Sequence, residues 1–94
     1  MPYTLVRITV EDFDKWKPVF EEAAALRHSY GSVGVQVFRV VDKPNEVILV
    51  AEYENLEHAR QLFQSQEFRE ATKRAGLVGP PEVTFMIQVD QLPA

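Results

Sequence analysis

His28 and Arg39 are the two basic residues whose possible chemical roles are easiest to define from the sequence. His28, with Arg27 and Tyr30 close by, can act as a general acid or base near neutral pH. The alternative is a histidine at a helix C-terminus, where its positive charge complements the helix dipole. Arg39 is suited to binding an anionic ligand through its planar guanidinium group. Its alternative role is a surface ion pair with Glu46 across a hairpin.

Four further polar residues lie at spacings that place them on one face of the predicted sheet. They are Arg7, Gln36, Glu52 and Gln88. Arg7 and Glu52 are candidates for orienting a polar ligand or activating a proton, with Gln36 and Gln88 contributing substrate contacts. The alternative is a salt bridge between subunits that is supported by the two amides. Either role predicts sensitivity to substitution, because half of a buried charge pair is costly to remove.

Large apolar side chains are candidates for contacting a substrate. Phe38 and Met86 have the sheet parity of the polar residues above, so we expect them to line a cavity there. Trp16 and Tyr30 are candidates for the entrance to that cavity. The helical spacing of Trp16 from Phe13 favours ordinary core packing for the tryptophan instead.

Composition excludes several classes of protein. The 94 residues contain no cysteine, and the two histidines lie thirty positions apart, so we predict no metal site. Gly31-Ser32-Val33-Gly34 is too short for a dinucleotide-binding loop and precedes a strand, and we expect no bound cofactor. The net charge is −4 and no basic stripe is present, which argues against nucleic-acid binding. The longest apolar run, Val47 to Ala51, is too short to span a membrane. With no signal-peptide pattern at the N-terminus, a cytoplasmic protein is expected.

The apolar periodicity predicts four strands and two helices. In chain order these are a strand over Tyr3 to Val10, a helix from near Trp16 to about Tyr30, a strand over Val33 to Val41, a strand over Glu46 to Glu54, a helix after Asn55 that Ser65 kinks and Gly76 ends, and a strand over Val83 to Val89. Asp12 or Asp14 is expected to cap the first helix. A turn at Asp42 to Asn45 joins the second and third strands as a hairpin.

This order of elements predicts a single ferredoxin-like α+β domain, βαββαβ, over residues 1–94. Its four-stranded antiparallel sheet should carry both helices on one face. Val6, Ile8 and Val10 have the parity of the face against the helices. The opposite parity mixes large apolar residues with spaced polar ones, as at a wall shared by a protein interface and a cavity. We therefore expect a homodimer.

Several local phrases resemble the dimeric α+β barrel superfamily, especially its antibiotic-biosynthesis-monooxygenase-like branch of small bacterial proteins. They are Asp12-Phe13-Asp14-Lys15-Trp16, Leu26-Arg27-His28 with Gly31, Val37-Phe38-Arg39, and Ala75-Gly76-Leu77-Val78-Gly79-Pro80-Pro81. The resemblance covers nearly the whole chain. It implies a dimer with sheets packed face to face and a cavity beside each helix layer.

The resemblance implies two alternative functions. The first is a cofactor-independent monooxygenase-like, isomerase or cyclase activity on an aromatic or polyketide-like compound in the subunit cavity. His28 or Glu52 would then serve as the base and Arg7 or Arg39 as the electrostatic stabiliser. The second is a non-catalytic dimer that binds a metabolite or another partner. Fold resemblance alone does not choose between them.

Overall fold

The computed structural model describes residues 1–94 and contains a four-stranded sheet with four short helices. The elements are β1 (Pro2–Thr9), α1 (Phe13–Glu22), α2 (Ala24–Ser29), β2 (Ser32–Arg39), β3 (Glu46–Tyr53), α3 (Leu56–Gln64), α4 (Gln66–Arg74) and β4 (Glu82–Ile87). All strand pairs are antiparallel, and the strand order is β2-β3-β1-β4. The predicted ferredoxin-like α+β fold is confirmed. No helix has the length and apolar character that crossing a bilayer requires.

The register of the central strand β1 separates the two faces of the sheet. Val6 lies opposite Leu49 of β3 on one side and Val83 of β4 on the other. Because side chains alternate along a strand, all three lie on the face that the helices cover. The buried core consists of two groups on this face, one around Val6, Ile8, Trp16 and Val47, the other around Ala51, Tyr53, Ala59 and Leu62.

The first helix begins three residues earlier than the sequence analysis predicted. Asp12, in an extended conformation, accepts hydrogen bonds from the backbone N–H groups of Asp14 (2.9 Å) and Lys15 (3.3 Å). Helix α1 therefore starts at Phe13 and not near Trp16. Pro18 then lies inside the helix, where it removes one backbone hydrogen bond. The cap and the burial of Trp16 stabilise the first turn despite this loss.

The predicted first helix is also broken in two. Ala23 (φ −82°, ψ 7°) separates α1 from α2. At the break, the carbonyl oxygen of Phe20 accepts hydrogen bonds from Ala23 N (3.2 Å) and from Arg27 Nη1 (2.7 Å). A side chain thus satisfies a backbone group at the point where the regular helix is interrupted.

The second helix is interrupted at Ser65, as the sequence predicted. Ser65 is extended (φ −76°, ψ 152°), so α3 ends there and α4 begins. Its hydroxyl donates to the carbonyl of Leu62 (2.7 Å) and accepts from the backbone N–H of Phe68 (3.1 Å). Asn55 caps α3 by accepting from the N–H of His58 (2.8 Å). Both helical segments between strands are therefore divided into two shorter helices.

Candidate functional site

A cavity of about 90 Å³ lies between the helices and the face of the sheet that they cover. We call it the helix-side cavity. All four helices and the three strands β1, β2 and β3 contribute to its wall. The wall is mostly apolar, and its large members include Trp16, Phe20, Leu26, Phe63 and Phe68. Such a cavity is suited to a small apolar or aromatic group.

Aromatic side chains from α1 form one side of the wall. Trp16 is 2% exposed, and its ring stacks on that of Phe20 with 4.8 Å between centroids and 24° between planes. Phe13 does not line the cavity, but its ring centroid lies 5.6 Å from that of Trp16. These residues recur at three- and four-residue spacing, so they share one face of the helix. The same spacing that packs the core also gives the cavity an aromatic surface.

Besides the indole N–H of Trp16, four residues bring polar side-chain groups into this wall: Thr4, Arg27, Tyr53 and Thr72. The Thr72 hydroxyl is already engaged by the carbonyl of Arg69 in its own helix (2.9 Å). The other three come from separate elements, namely β1, α2 and the end of β3. The fold therefore collects a guanidinium group and two hydroxyl groups around an otherwise apolar space.

Thr4 is a buried polar residue whose hydroxyl has no partner. It is 1% exposed and lies opposite Ala51 on β3 and Phe85 on β4. Its Oγ1 makes no hydrogen bond of acceptable geometry, although the Tyr53 hydroxyl lies close enough to interact with it. Leaving a buried hydroxyl unsatisfied costs about 1–3 kcal/mol. An unpaired group of this kind in a cavity wall is available to a ligand.

Arg27 is held over the aromatic wall without an acidic partner. Its guanidinium carbon lies 3.9 Å from the centroid of Phe20, and Nη1 donates to the Phe20 carbonyl oxygen. None of the ion pairs in the structure includes it. Burial lowers the pKa of Arg27, an effect that the interaction with Tyr53 opposes. A guanidinium group keeps its proton in proteins even when partly buried, so Arg27 is a cation at neutral pH.

Tyr53 is 2% exposed and faces the helices at the end of β3, opposite Ser32 on β2. Burial raises the pKa of its hydroxyl above the ordinary value of 10.0, while the charge of Arg27 and the nearby Thr4 hydroxyl oppose the shift. Tyr53 is therefore a protonated hydroxyl at neutral pH, able to donate a hydrogen bond.

The open face of the sheet, away from the helices, carries most of the residues that the sequence analysis selected. Arg7, Gln36, Phe38, Glu52, Met86 and Gln88 have the strand parity of this face. Arg7 pairs with Glu46 at 3.5 Å and not with Glu52. Gln36, Met86 and Gln88 line an open groove of about 440 Å³ together with Tyr3. Tyr3 donates a hydrogen bond to Gln88 (3.2 Å).

The remaining selected residues are scattered. His28 is exposed near the end of α2, and Tyr30 caps that helix while packing against the core group around Tyr53. Arg39 is exposed, with its guanidinium carbon 4.4 Å from the centroid of Phe13. Trp16 alone among the selected residues lines the helix-side cavity. Within one protomer, the structure does not bring His28, Glu52, Arg7 and Arg39 together.

Sequence reasoning missed Thr4, Arg27 and Tyr53 as site residues. A signal was present, because Thr4 and Tyr53 are the polar members of strand sets that are otherwise apolar and face the helices. Arg27 gave a weaker signal. It lies two turns beyond Phe20 and one turn beyond Ala23 on the apolar side of this segment, where a cation requires a partner or an aromatic surface.

Solved structures with the same fold include proteins with related names. SnoaB from Streptomyces nogalater, a cofactor-independent oxygenase, is 21% identical, with a TM-score of 0.79 and coverage of 99% of this chain and 97% of that one. A Bordetella bronchiseptica protein, provisionally named an antibiotic biosynthesis monooxygenase, is 22% identical, with a TM-score of 0.79 and coverage of 94% and 96%. A similarly named Caulobacter crescentus protein is 15% identical, with a TM-score of 0.74 and coverage of 95% and 90%. At these identities the likeness establishes the fold.

No curated protein matches the sequence. The model of the family described as antibiotic biosynthesis monooxygenase matches residues 3–74, which is more than half of the chain. The matched region contains β1, β2, β3 and all four helices, and with them Thr4, Trp16, Arg27 and Tyr53. The chain therefore belongs to the antibiotic biosynthesis monooxygenase family.

Proposed function

We propose that this protein binds a small aromatic compound in the helix-side cavity and oxygenates it without a bound cofactor. The observation that carries the proposal is an aromatic-walled cavity whose wall holds the guanidinium group of Arg27 and the unpaired hydroxyl of Thr4. Membership of the monooxygenase family supports oxygenation as the reaction, and SnoaB, with the same fold, is a cofactor-independent oxygenase.

A reaction of this type balances without a cofactor when the substrate supplies all the electrons. An activated CH2 group loses a proton to give a carbanion or enolate, which reacts with O2, and the products are a C=O group and water. Arg27 would stabilise the negative charge on the substrate oxygen, and Tyr53 would donate a hydrogen bond to it. An isomerase or cyclase would use the same anion without consuming oxygen, so oxygen uptake separates these reactions.

The cavity wall lacks a strong base. Arg27 and Tyr53 are the titratable residues among those that line it, and neither is suited to removing a proton at neutral pH. The sequence-based candidates for the base, His28 and Glu52, do not line this cavity. We therefore propose that the substrate ionises readily by itself and that Arg27 favours its ionised form.

We also propose that the protein forms a homodimer through the open face of the sheet. Leu5, Ile48 and Val50 are only half-buried there, and Phe38 is 50% exposed. A sheet that is apolar on both faces is covered on both faces in stable proteins. A second copy of the chain would cover this face in a symmetric manner.

The alternative function is a non-catalytic dimer that binds a metabolite or another partner. The open groove around Tyr3, Gln36 and Gln88 favours this alternative, since it is larger than the helix-side cavity and lined by amides. It is also open to solvent and lies on the face that we assign to the dimer. The unpaired polar group belongs to the helix-side cavity, which supports the catalytic proposal.

The proposed reaction predicts oxygen uptake that depends on Arg27. A panel of enolisable single-ring aromatic compounds should include one that drives O2 consumption by the wild-type protein. Arg27→Gln should lower the rate at least tenfold, because it removes the charge that stabilises the anion. Arg69→Gln, at an exposed site on α4, should retain the wild-type rate.

An oxygen electrode measures this uptake, and product analysis in 18O2 confirms that oxygen enters the product. Equal rates for wild-type protein and Arg27→Gln would contradict the role of Arg27. Turnover of a panel compound without oxygen uptake would contradict oxygenation and favour an isomerase or cyclase.

The dimer proposal predicts that a charge on the open face separates the subunits. Val50 lies between Leu5 of β1 and Gln36 of β2, near the middle of this face. Val50→Glu should give a monomer in light scattering coupled to size-exclusion chromatography, since each copy would bury an unpaired charge in the interface. Val78→Glu, at an exposed site in the loop between α4 and β4, is the control and should stay dimeric. If the Val50→Glu protein remained dimeric, the result would contradict an interface on the open face.

Burial of Tyr53 predicts a specific pH dependence of stability. The pKa of Tyr53 is raised in the folded state, so below the ordinary value of 10.0 both states keep the proton and the hydroxyl has no pH-dependent effect. Above that value the unfolded state loses the proton first, and the free energy of unfolding falls. Tyr53→Phe should reduce this loss between about pH 9 and pH 11 in urea unfolding experiments. Identical pH profiles for the two proteins would contradict the buried, proton-bearing hydroxyl.

A further inference from the structure

The positive charge in the wall of the helix-side cavity has no counter-ion within the protein. Arg27 brings a positive charge to the wall, and no aspartate or glutamate lines the cavity. Arg27 takes part in none of the salt bridges of the structure, which join Arg7, Lys17 and Lys43 to glutamates elsewhere. A partly desolvated cation with no counter-ion favours a ligand that supplies one.

The guanidinium group is held in place with most of its donors unused. Nη1 donates to the carbonyl oxygen of Phe20 at 2.7 Å, and the group lies against the ring of the same residue. This is the one hydrogen bond that the side chain makes, whereas a guanidinium group has five N–H donors. Two contacts to Phe20 fix its position, so its remaining N–H groups can bind a ligand without further ordering of the side chain.

The hydroxyl groups of Tyr53 and Thr4 can both act as hydrogen-bond donors. Tyr53 keeps its proton at neutral pH because burial raises its pKa, so it is a donor. Thr4 Oγ1 makes no hydrogen bond of good geometry, and its rotatable hydroxyl, which lies near that of Tyr53, can donate to a ligand as well. Three donors from three elements therefore border one apolar space, and their common complement is an oxygen atom with a negative charge.

The size of the cavity limits what carries that oxygen. A volume of about 90 Å³ is suited to a single ring, and Trp16 stacked on Phe20 offers an aromatic surface for it. Since neither Arg27 nor Tyr53 is a base at neutral pH, the ligand must arrive ionised or ionise by itself. Single-ring compounds that meet this condition are acidic phenols and aromatic carboxylates.

We infer that the helix-side cavity selects a single aromatic ring bearing an ionised oxygen, with the oxygen bound by Arg27, Tyr53 and Thr4 and the ring against Trp16 and Phe20. This inference rests on the proposed function of the cavity as the ligand site, and it adds the charge and size of the ligand. A phenolate and a carboxylate share the required chemistry. The carboxylate has a second oxygen that a guanidinium group can bind simultaneously.

The test uses the one tryptophan of the chain as a reporter. Trp16 gives a single indole N–H signal in a 1H–15N NMR spectrum, and it lies in the cavity wall. The probes are 4-nitrophenol, titrated at pH values on both sides of its own pKa, and benzoate. Their uncharged counterparts are nitrobenzene and benzamide. The measured quantity is the dissociation constant from the shift of the Trp16 signal.

We expect at least one anion to bind about tenfold or more tightly than its uncharged counterpart, and 4-nitrophenol to bind more tightly above its pKa. Arg27→Gln should abolish the preference for the anion and leave the affinity for the uncharged probes within about twofold. Arg27→Lys retains the charge and should keep part of the preference, which guards against a variant that merely fails to fold. Arg69→Gln is the matched control and should behave as wild type.

Each outcome separates this inference from the proposed function. Equal affinities for anions and uncharged probes, with a shifted Trp16 signal, would overturn the inference and leave the cavity as a ligand site. No shift of Trp16 with any probe, or an anion preference that persists in Arg27→Gln, would also overturn it. If no probe shifted the Trp16 signal, the result would also contradict the helix-side cavity as a ligand site. Tighter binding of the phenolate than the carboxylate, or the reverse, supports the inference and identifies the preferred class.

Discussion

The pairing register of β1 is the constraint on which the rest of this structure depends. β1 is central, with β3 on one side and β4 on the other, so its pleat decides which residues of three strands face the helices. A shift by one residue would exchange the two faces. It would place Arg7 in the core and Thr4 on the open face. The observed register instead buries Val6 and Ile8 and brings Thr4 into the cavity wall beside Tyr53.

The interrupted helices complete the site that this register begins. If α1 and α2 formed one straight helix, the carbonyl of Phe20 would be satisfied within the helix. At the break, this carbonyl accepts hydrogen bonds from Ala23 N and from Arg27, and the second bond orients the guanidinium group along the wall. The second break, at Ser65, is stabilised by a hydroxyl that serves both α3 and α4. The helix layer thus surrounds a cavity and does not pack flat on the sheet.

The fold was predictable from sequence because local patterns and tertiary structure agree. Alternation along β1 and β3, the turn near Pro44 and the caps at Asp12 and Asn55 all point to the same topology. The sequence predicts too late a start for α1, because Pro18 disfavours an earlier start whereas the capping bonds of Asp12 stabilise one. The break at Ala23 has no glycine or proline to mark it, and so it could not be anticipated.

The helix-side site was harder to predict for a physical reason. A threonine or tyrosine among apolar strand residues is usually a core residue with a satisfied hydroxyl, and only coordinates reveal that Thr4 has no partner. The mixed polarity of the open face favours Arg7 and Glu52 as site residues. Glu52 lies opposite Tyr3, four residues from Arg7 along β1, so the two side chains do not pair within a protomer. A cavity is a property of packing, so periodicity located Trp16 but not the space beside it.

The central claim is that the ligand binds on the helix side of the sheet, against Arg27. A crystal structure of the protein soaked with 4-nitrophenolate tests this claim most directly. The account predicts density for the ring between Trp16 and β1, with the phenolate oxygen within hydrogen-bonding distance of Arg27. Density for the ring in the open groove beside Tyr3 and Gln88, with an empty helix-side cavity, would contradict it.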